Sequence, residues 1–207
     1  MKKIVTLSLI LIMFLIGQRY PSVASTTGLD FLKIGVGARP LAMGEAYVAL
    51  ADDINAIYWN PAGLAQLEQP EFGFTYNRWF EDIGYHFFGY SHPIDDSVLA
   101  FSMYYLGGGD IDGSDNGGIP TGNVSAYDLA LAFSYSRKLI KGLSGGANFK
   151  FIKEKLDDEV ANALAFDLGA LYKTGIDNLN VGLNIQNIGT RIKFIRESAS
   201  LPLNFRF

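Results

Sequence analysis

The stretch SAYDLALAFSYS, residues 125–136, alternates bulky apolar side chains with small or polar ones. Successive side chains of a β-strand point to opposite faces, so Tyr127, Phe133 and Tyr135 share one face with the leucines between them. The other face carries Asp128, Ala130, Ala132, Ser134 and Ser136. Aromatic residues at both ends of an aliphatic row form the girdle pattern of strands that cross a membrane. The stretch therefore predicts a β-strand with one lipid-facing side.

The same alternation continues on both sides of this strand. Further strands are predicted at residues 71–80, 84–92, 98–106, 143–153, 162–172 and 179–185, and residues 201–207 begin an eighth. Residues 107–123 and 189–200 are predicted to be polar loops. Strands of about 10 to 12 residues match the 9 to 11 that cross a bilayer at a tilt and exceed the usual 5 to 6. A secreted or periplasmic β-sandwich is the alternative, because it has the same alternation.

The composition allows a sizeable core and excludes several kinds of site. The chain has 207 residues, 49% of them apolar, with Phe 15, Tyr 11 and Trp 2. The net charge of −4, without a cluster of Lys and Arg, argues against nucleic acid as a partner. The lack of cysteine excludes disulfides, thiolate metal sites and a cysteine nucleophile.

Residues 1–24 have the pattern of a secretory signal peptide. Lys2 and Lys3 precede an apolar run from Ile4 to Gly17, and Ser22-Val23-Ala24 offers a cleavage site. As a helix the run would span only about 21 Å, less than a hydrocarbon core of about 30 Å. No other stretch is apolar enough for a membrane helix, so a mature chain in a membrane would have to be a β-barrel.

Residues 25–69 are rich in Ala and Gly and are predicted to form short helices. Pro40 suits a first helical turn, and the small residues in 41–49 are expected to pack closely against another wall. Asp52 or Asp53 is predicted to cap a helix over residues 54–58, and Asn60 with Pro61 to begin another over residues 62–66. Because such short helices bury little surface alone, we expect this segment to plug a container made by the strands.

The run ARPLAMGEAYVALADDINAIYWNPAGLAQL, residues 38–67, resembles the N-terminal region of the PorV/PorQ family of outer-membrane proteins. That family is similar to the FadL-like transporters of hydrophobic compounds. The resemblance implies an all-β fold with a short helical N-terminal segment. It places residues 25–69 as a hatch in the lumen of an antiparallel transmembrane β-barrel formed by residues 70–207. The candidate residues for forming or gating the hatch are Arg39, Gly44, Asp52, Asp53, Tyr58, Trp59, Asn60, Pro61, Ala62 and Gly63.

The chain is shorter than that resemblance implies. The resemblance implies a barrel of about fourteen strands, whereas this sequence predicts seven and the start of an eighth. A closed eight-stranded barrel is filled by its own side chains and leaves no room for a hatch. We therefore expect a C-terminally truncated family member with an incomplete barrel.

No catalytic or metal-binding pattern stands out. His86 and His92 lie about 20 Å apart along one predicted strand, too far to share a metal, and are expected to be interface anchors. The loop with Asp110, Asp112 and Asp115 is a weak calcium candidate, since it lacks the Gly and Glu positions of an EF-hand, and a flexible polar surface loop is preferred. We therefore expect no enzymatic activity, no cofactor and no bound metal.

Polar residues on the inward faces of the predicted strands are candidates for contacts inside the lumen. Charged side chains in such positions commonly hold a plug by salt bridges or tune a channel. The candidates are Asp128, Asn148, Lys150 and Asp167.

These features leave three functional hypotheses. The first is FadL-like transport or binding of hydrophobic small molecules across the bacterial outer membrane, with the hatch as the gate. The second is a PorV-like component of type IX secretion that binds secreted protein cargo. The third is a soluble secreted β-protein. The expected partners under the first two are outer-membrane lipid and either hydrophobic small molecules or secreted cargo, with no nucleic acid.

Overall fold

The fold begins with short helical turns and continues as a long antiparallel sheet. A computed structural model describes residues 27–79, 82–108, 111–114, 117–194 and 197–207. The predicted signal peptide, residues 1–24, lies outside the described residues. No described helix is long and apolar enough to cross a membrane.

The helical part of the described chain consists of two α-helices and two 3-10 helices. The first 3-10 helix spans Asp30–Lys33, α1 spans Ala38–Ala42, α2 spans Ala56–Trp59 and the second 3-10 helix spans Pro61–Gln66. Residues 43–50 form turns. The expected close packing of the small residues in 41–49 is wrong for Ala42, Gly44 and Ala46, which are exposed.

Within the described ranges twelve strands follow, and eight of them form the main sheet. Their order in that sheet is β1-β2-β3-β6-β7-β8-β9-β12, all antiparallel. The main-sheet strands are β1 Glu71–Arg78, β2 Gly84–Ile94, β3 Ser97–Gly107, β6 Ala126–Ile140, β7 Leu143–Leu156, β8 Glu159–Lys173, β9 Asn180–Gly189 and β12 Asn204–Arg206. The all-β prediction is confirmed. Among the described residues β1 and β12 do not pair with each other, so these strands form an open sheet.

The remaining strands correct the two predicted loops. Residues 107–123 contain most of a hairpin of β4, Ile111–Ser114, and β5, Pro120–Val124. Residues 189–200 contain a second hairpin of β10, Ile192–Phe194, and β11, Glu197–Ala199. Both loops are rich in turn-forming residues, and three- to five-residue strands are too short for their alternation to be recognised.

The predicted alternation is confirmed along the long strands. The inner face carries small and polar side chains that are buried, among them Ala100, Ala130, Ala132, Ser134, Ser136, Ala163, Ala165 and Asn184. The outer face carries large apolar side chains that are exposed, among them Phe72, Phe74, Tyr76, Leu99, Phe133, Tyr135, Phe151, Leu164, Phe166, Leu168, Leu183 and Phe205. The sheet is therefore apolar on its exposed side and rich in small and polar residues on its buried side.

Connections at the two ends of the sheet differ in length. At one end, here called the turn end, residues 95–96, 141–142 and 174–179 make short links. Asp95, Gly142 and Asn178 there adopt positive φ angles, which Gly, Asn and Asp tolerate best. At the other end, here called the loop end, lie residues 157–158, both hairpins, and the described parts of the connections from β1 to β2, from β3 to β6 and from β9 to β12. The longer connections are therefore concentrated at one end.

Candidate functional site

The N-terminal segment, residues 27–69, lies against the inner face of the main sheet and is called the hatch below. Each main-sheet strand touches it. The contacts come from Glu71, Tyr85, Tyr104, Ser136, Asn148, Ala170, Asn184 and Arg206, one on each strand from β1 to β12. The hatch therefore packs against the inner face of the sheet across all eight strands.

Asn60 joins the hatch to β8 and starts the second 3-10 helix. Its Oδ1 accepts a hydrogen bond from Ala62 N at 3.2 Å, which confirms the predicted cap. Its Nδ2 donates to Val48 O at 2.8 Å and to Ala170 O at 3.1 Å. One fully buried side chain thus fixes a helix start, a neighbouring turn and a strand.

Glycines on the inner face let the hatch main chain lie directly on the sheet. A Cβ atom at Gly146 in β7 would overlap the main chain of Pro61 and Ala62. A Cβ atom at Gly169 in β8 would overlap Oδ1 of Asn60. Any larger side chain at either position would push the segment from Asn60 to Ala62 away from β7 and β8.

Three side-chain amides of the sheet bind the end of α2. Asn148 Nδ2 donates to Ile57 O at 2.7 Å, Gln186 Nε2 donates to Tyr58 O at 2.5 Å, and Asn184 Nδ2 donates to Trp59 O at 2.8 Å. The last carbonyls of an α-helix have no partner within the helix and must find one elsewhere. Here β7 and β9 provide those partners. The carbonyl groups at the end of α2 therefore have these hydrogen bonds only while the hatch packs against the sheet.

A buried ion pair holds one of these amides in place. Lys150 Nζ lies 2.7 Å from Asp167 Oδ2, and both side chains are almost fully buried. The same Nζ donates to Asn187 Oδ1, while Asp167 also accepts from Asn148 Nδ2 and from Asn187 N, each at 2.8 Å. Asp167 lies at an irregularity in the β8–β9 register, between Phe166 and Leu168. The structure thus brings three of the predicted lumen residues together.

Asp128, the fourth lumen candidate, does not join this cluster. It is half-buried near the loop end of β6, opposite Glu154 of β7. No contact between Asp128 and the hatch is present among the described hydrogen bonds and ion pairs.

Tyr58 and Trp59 form the aromatic centre of the hatch. Their rings meet edge to face with centroids 5.0 Å apart. Trp59 Nε1 donates to Val36 O at 2.7 Å, and Tyr58 Oη donates to Leu32 O at 3.2 Å. Burial raises the pKa of Tyr58 to about 12, against the opposing effect of the Arg206 charge. Both rings fill the interior of the seated hatch.

Arg206 of β12 covers this aromatic pair from the sheet side. Its guanidinium carbon lies 4.3 Å from the Trp59 ring and 5.3 Å from the Tyr58 ring. It also donates to Gln186 Oε1 at 3.0 Å and pairs with Glu45 at 3.3 Å. No local sequence pattern predicts this contact, because the partners are far apart in the chain.

Arg39 and Asp52 form a second, more exposed cluster with Tyr47. Arg39 binds Asp52 through both terminal nitrogens, at 2.6 and 3.2 Å, and Tyr47 Oη donates to Asp52 Oδ1 at 3.0 Å. Partial burial alone would raise the pKa of Asp52, yet the hydrogen bonds from Arg39 and Tyr47 lower it below its usual value. Tyr47 was not among the predicted candidates.

The expected cap at Asp52 or Asp53 is wrong, because the helix begins at Ala56 and its N-cap is Asn55, which makes no side-chain cap hydrogen bond. Asp53 O accepts from Ala56 N at 2.9 Å, and Asp53 Oδ1 accepts from Asn55 N at 2.9 Å. Asp52 instead turns toward Arg39. Gly44, another candidate, is exposed with a φ of +63°, and a Cβ atom added there would meet nothing within 4 Å.

No metal centre is formed by the part of the chain that the structure describes. Asp110 and Asp115 of the calcium candidate lie outside the described residues, and Asp112 belongs to β4, opposite Asn123. The part of the predicted loop that is described forms the paired strands β4 and β5. His86 lies on the outer face with its ring 4.8 Å from that of Tyr76.

Comparison with known proteins gives a family but no activity. The UPF0164 protein of Treponema pallidum (strain Nichols) is 30% identical over 186 residues, covering 80% of this chain and 43% of the relative. The chain therefore spans less than half the length of that relative. Residues 20–157 match the family described as "Uncharacterised protein family (UPF0164)". With most of its length matched, from before the hatch to the end of β7, the chain belongs to the uncharacterised protein family UPF0164.

Proposed function

We propose that the protein is an outer-membrane β-barrel component that passes hydrophobic small molecules, with the hatch as its gate. The observation that carries the proposal is the exposed face of the sheet, which large apolar side chains cover, while small and polar side chains lie among Phe87, Tyr104 and Ile152 on the face toward the hatch. Soluble monomers rarely expose apolar patches beyond a few hundred Å². A sheet with exposed apolar residues on all its long strands is suited to lipid.

The dimensions of the apolar face support a membrane location. From Tyr127 to Tyr135 the outer row of β6 extends about 27 Å along the strand. At a tilt of about 40° this corresponds to about 20 Å, near the apolar band of about 25 Å in outer-membrane barrels. Tyr76, His86, Tyr105 and Tyr127 mark the loop end of the band, with rings in contact between neighbouring strands.

The unequal lengths of the connections at the two ends of the sheet also support the proposal and indicate an orientation in the membrane. Outer-membrane barrels have short periplasmic turns and longer extracellular loops. We therefore place the turn end in the periplasm and the loop end, with both hairpins, outside the cell. Unpaired strand edges are very costly in lipid, so the proposal requires β1 and β12 to be paired when the protein is in the membrane.

Gating by the hatch rests on how it is held. Its polar contacts with the sheet are mainly hydrogen bonds from Asn148, Asn184, Gln186 and Ser136, each worth about 0.5–1.5 kcal/mol net. Such bonds can be exchanged for bonds to water when the segment moves. We propose that partial release of the segment from Asn60 to Ala62 opens the path.

Binding of secreted protein cargo is the second candidate. The observation that favours it is the pair of hairpins, β4–β5 and β10–β11, at the loop end. Hairpins at the mouth of a barrel offer main-chain and side-chain groups to a protein partner.

The first test is the location and folding of the full chain. We expect it in the outer-membrane fraction, with a gel mobility that changes on heating. Recovery from the periplasm without detergent would refute the membrane proposal.

The second test is uptake of oleate by vesicles containing the purified chain. Asn148→Ala, which loosens the hatch, should raise uptake above the wild-type level, while Asn162→Ala on the exposed side of β8 should not. Equal uptake by empty vesicles and all three proteins would refute transport. Stable co-purification of a secreted protein, lost on deletion of residues 111–124, would instead support the cargo function.

A further inference from the structure

The outer face of the main sheet carries an apolar groove of about 510 Å³. It lies on the side opposite the hatch and crosses β2, β3, β6, β7 and β8. Phe133, Phe149 and Phe166 border it on one side, and Leu99 and Tyr135 border it on the other. The volume is within the range of about 300–1,000 Å³ that is typical of small-molecule sites.

The groove exists because a small residue interrupts a row of large ones. Ala147 of β7 pairs with Tyr135 of β6 and with Leu168 of β8. In the neighbouring row Phe149 pairs with Phe133 and Phe166. The methyl group of Ala147 leaves a depression between these rows, whereas a large side chain there would fill it.

Polar groups lie where the groove approaches the turn end. Tyr90 Oη lies 3.2 Å from His92 Nδ1, and Tyr135 Oη lies 3.0 Å from Ser97 Oγ. Arg137 lies two residues beyond Tyr135 on the outer face of β6, and its side chain is exposed. Arg137 forms no ion pair with any residue that the structure describes. An apolar groove thus leads toward hydroxyl groups and an uncompensated cation.

We propose that this groove binds one acyl chain of a phosphoglycerolipid from the leaflet at the turn end, with the lipid phosphate bound by Arg137. The inference rests on the proposed membrane location. An amphiphile fits the site because its chain matches the aromatic and aliphatic lining and its phosphate matches the guanidinium. The sheet separates the groove from the hatch, so the lipid is a bound membrane component and not a transported molecule.

The test is native mass spectrometry of the full chain purified in mild detergent and titrated with dipalmitoyl phosphatidylglycerol. Wild type should bind one lipid, and dipalmitoylglycerol, which has the same chains without the phosphate, should bind more weakly. Ala147→Phe, which fills the groove, should reduce binding about tenfold or more, since each buried CH₂ group contributes about 0.8 kcal/mol. Arg137→Gln should reduce phosphatidylglycerol binding about threefold, as expected for an exposed ion pair, and leave dipalmitoylglycerol unchanged.

The matched control is Leu183→Phe, which enlarges an exposed side chain on β9 outside the groove. It should bind lipid like wild type. Heat-modified gel mobility of every variant shows that the fold is intact. Equal binding by Ala147→Phe and wild type, or no lipid on a wild-type chain that fractionates with the outer membrane, overturns the lipid site alone. A wild-type chain recovered without membranes overturns the proposed function and the lipid site with it.

Discussion

Asn148 Nδ2 lies 2.7 Å from the carbonyl oxygen of Ile57 and 2.8 Å from Oδ2 of Asp167. One buried amide group therefore links the hatch to the ion pair of the sheet. The carboxylate fixes the orientation of the amide, and the amide in turn satisfies a helix carbonyl that has no other described partner. Stability of the hatch and stability of the sheet are coupled at this residue.

Asn148→Ala should lower the free energy of unfolding by about 1–3 kcal/mol, because it leaves Ile57 O and one lone pair of Asp167 without a donor in a buried site. Denaturant unfolding of the refolded chain in detergent measures this. Asn162→Ala, on the exposed side of β8, is the matched control and should change stability by less than about 0.5 kcal/mol. Equal effects of the two substitutions would contradict the role of Asn148.

Gly169→Ala should displace the hatch, since the added Cβ would overlap Asn60 Oδ1. Overpacking of this kind costs about 1–3 kcal/mol. We expect the segment from Asn60 to Ala62 to move, because this relieves the overlap with the smallest loss of other contacts. Limited proteolysis should therefore cut within the hatch faster than in wild type. Gly175→Ala is the control, because its Cβ would meet nothing within 4 Å. Unchanged cleavage in Gly169→Ala would show that the hatch does not pack closely against β8 at Gly169.

Lys150→Met should destabilise the sheet by about 3–5 kcal/mol, because it leaves Asp167 buried without its cation. The double variant Lys150→Met with Asp167→Asn should recover part of this loss, since no buried charge remains. Unfolding midpoints of the wild type, both single variants and the double variant complete the cycle. Additive losses in the double variant would indicate that the two side chains do not interact.

Local pattern predicted the strands, their two faces and the Asn60 cap. Alternation and capping depend on residues within a few positions of each other, so the sequence displays them directly. The packing of the hatch against the inner face of the sheet depends on contacts between distant parts of the chain. Gly146 and Gly169 are, in the sequence, only two small residues within predicted strands, and nothing local shows that Pro61 and Asn60 lie against them. The contact of Arg206 with Trp59 was missed for the same reason.

Acid should loosen the hatch through Asp52. Its pKa is lower in the folded chain than in the unfolded chain, so its contribution to stability is fully present above the unfolded value of about 3.9. That contribution is lost as the pH falls through the lower, folded pKa. The effect should be small and should weaken in high salt, since Arg39 and Asp52 are both partly exposed.

Protease susceptibility of the hatch, measured from pH 6 down to about 3, tests this effect. The rise in cleavage at low pH should be smaller in Asp52→Asn than in wild type. Asp158→Asn, in the exposed β7–β8 turn, should keep the wild-type profile. An identical pH profile for wild type and Asp52→Asn would remove Asp52 from the explanation.

Arg206→Ala should expose Trp59. The guanidinium lies 4.3 Å from the indole ring, and Trp59 is fully buried in the seated hatch. Loss of the cation–π contact and of the hydrogen bond to Gln186 removes about 1–3 kcal/mol that holds β12 over the aromatic pair. Because Trp79 is exposed and would add its own signal, the measurement uses Trp79→Phe as the background. Acrylamide should quench Trp59 more strongly in Arg206→Ala than in this background.

Two further variants separate the stacking of Arg206 from its charge. Arg206→Lys should restore only part of the protection of Trp59, since lysine keeps the charge but lacks the planar fork that stacks on the ring. Arg191→Ala, which removes an exposed arginine bound to Ser198 O, is the control and should leave quenching unchanged. If Arg206→Ala and Arg191→Ala are quenched alike, β12 does not cover the hatch through Arg206.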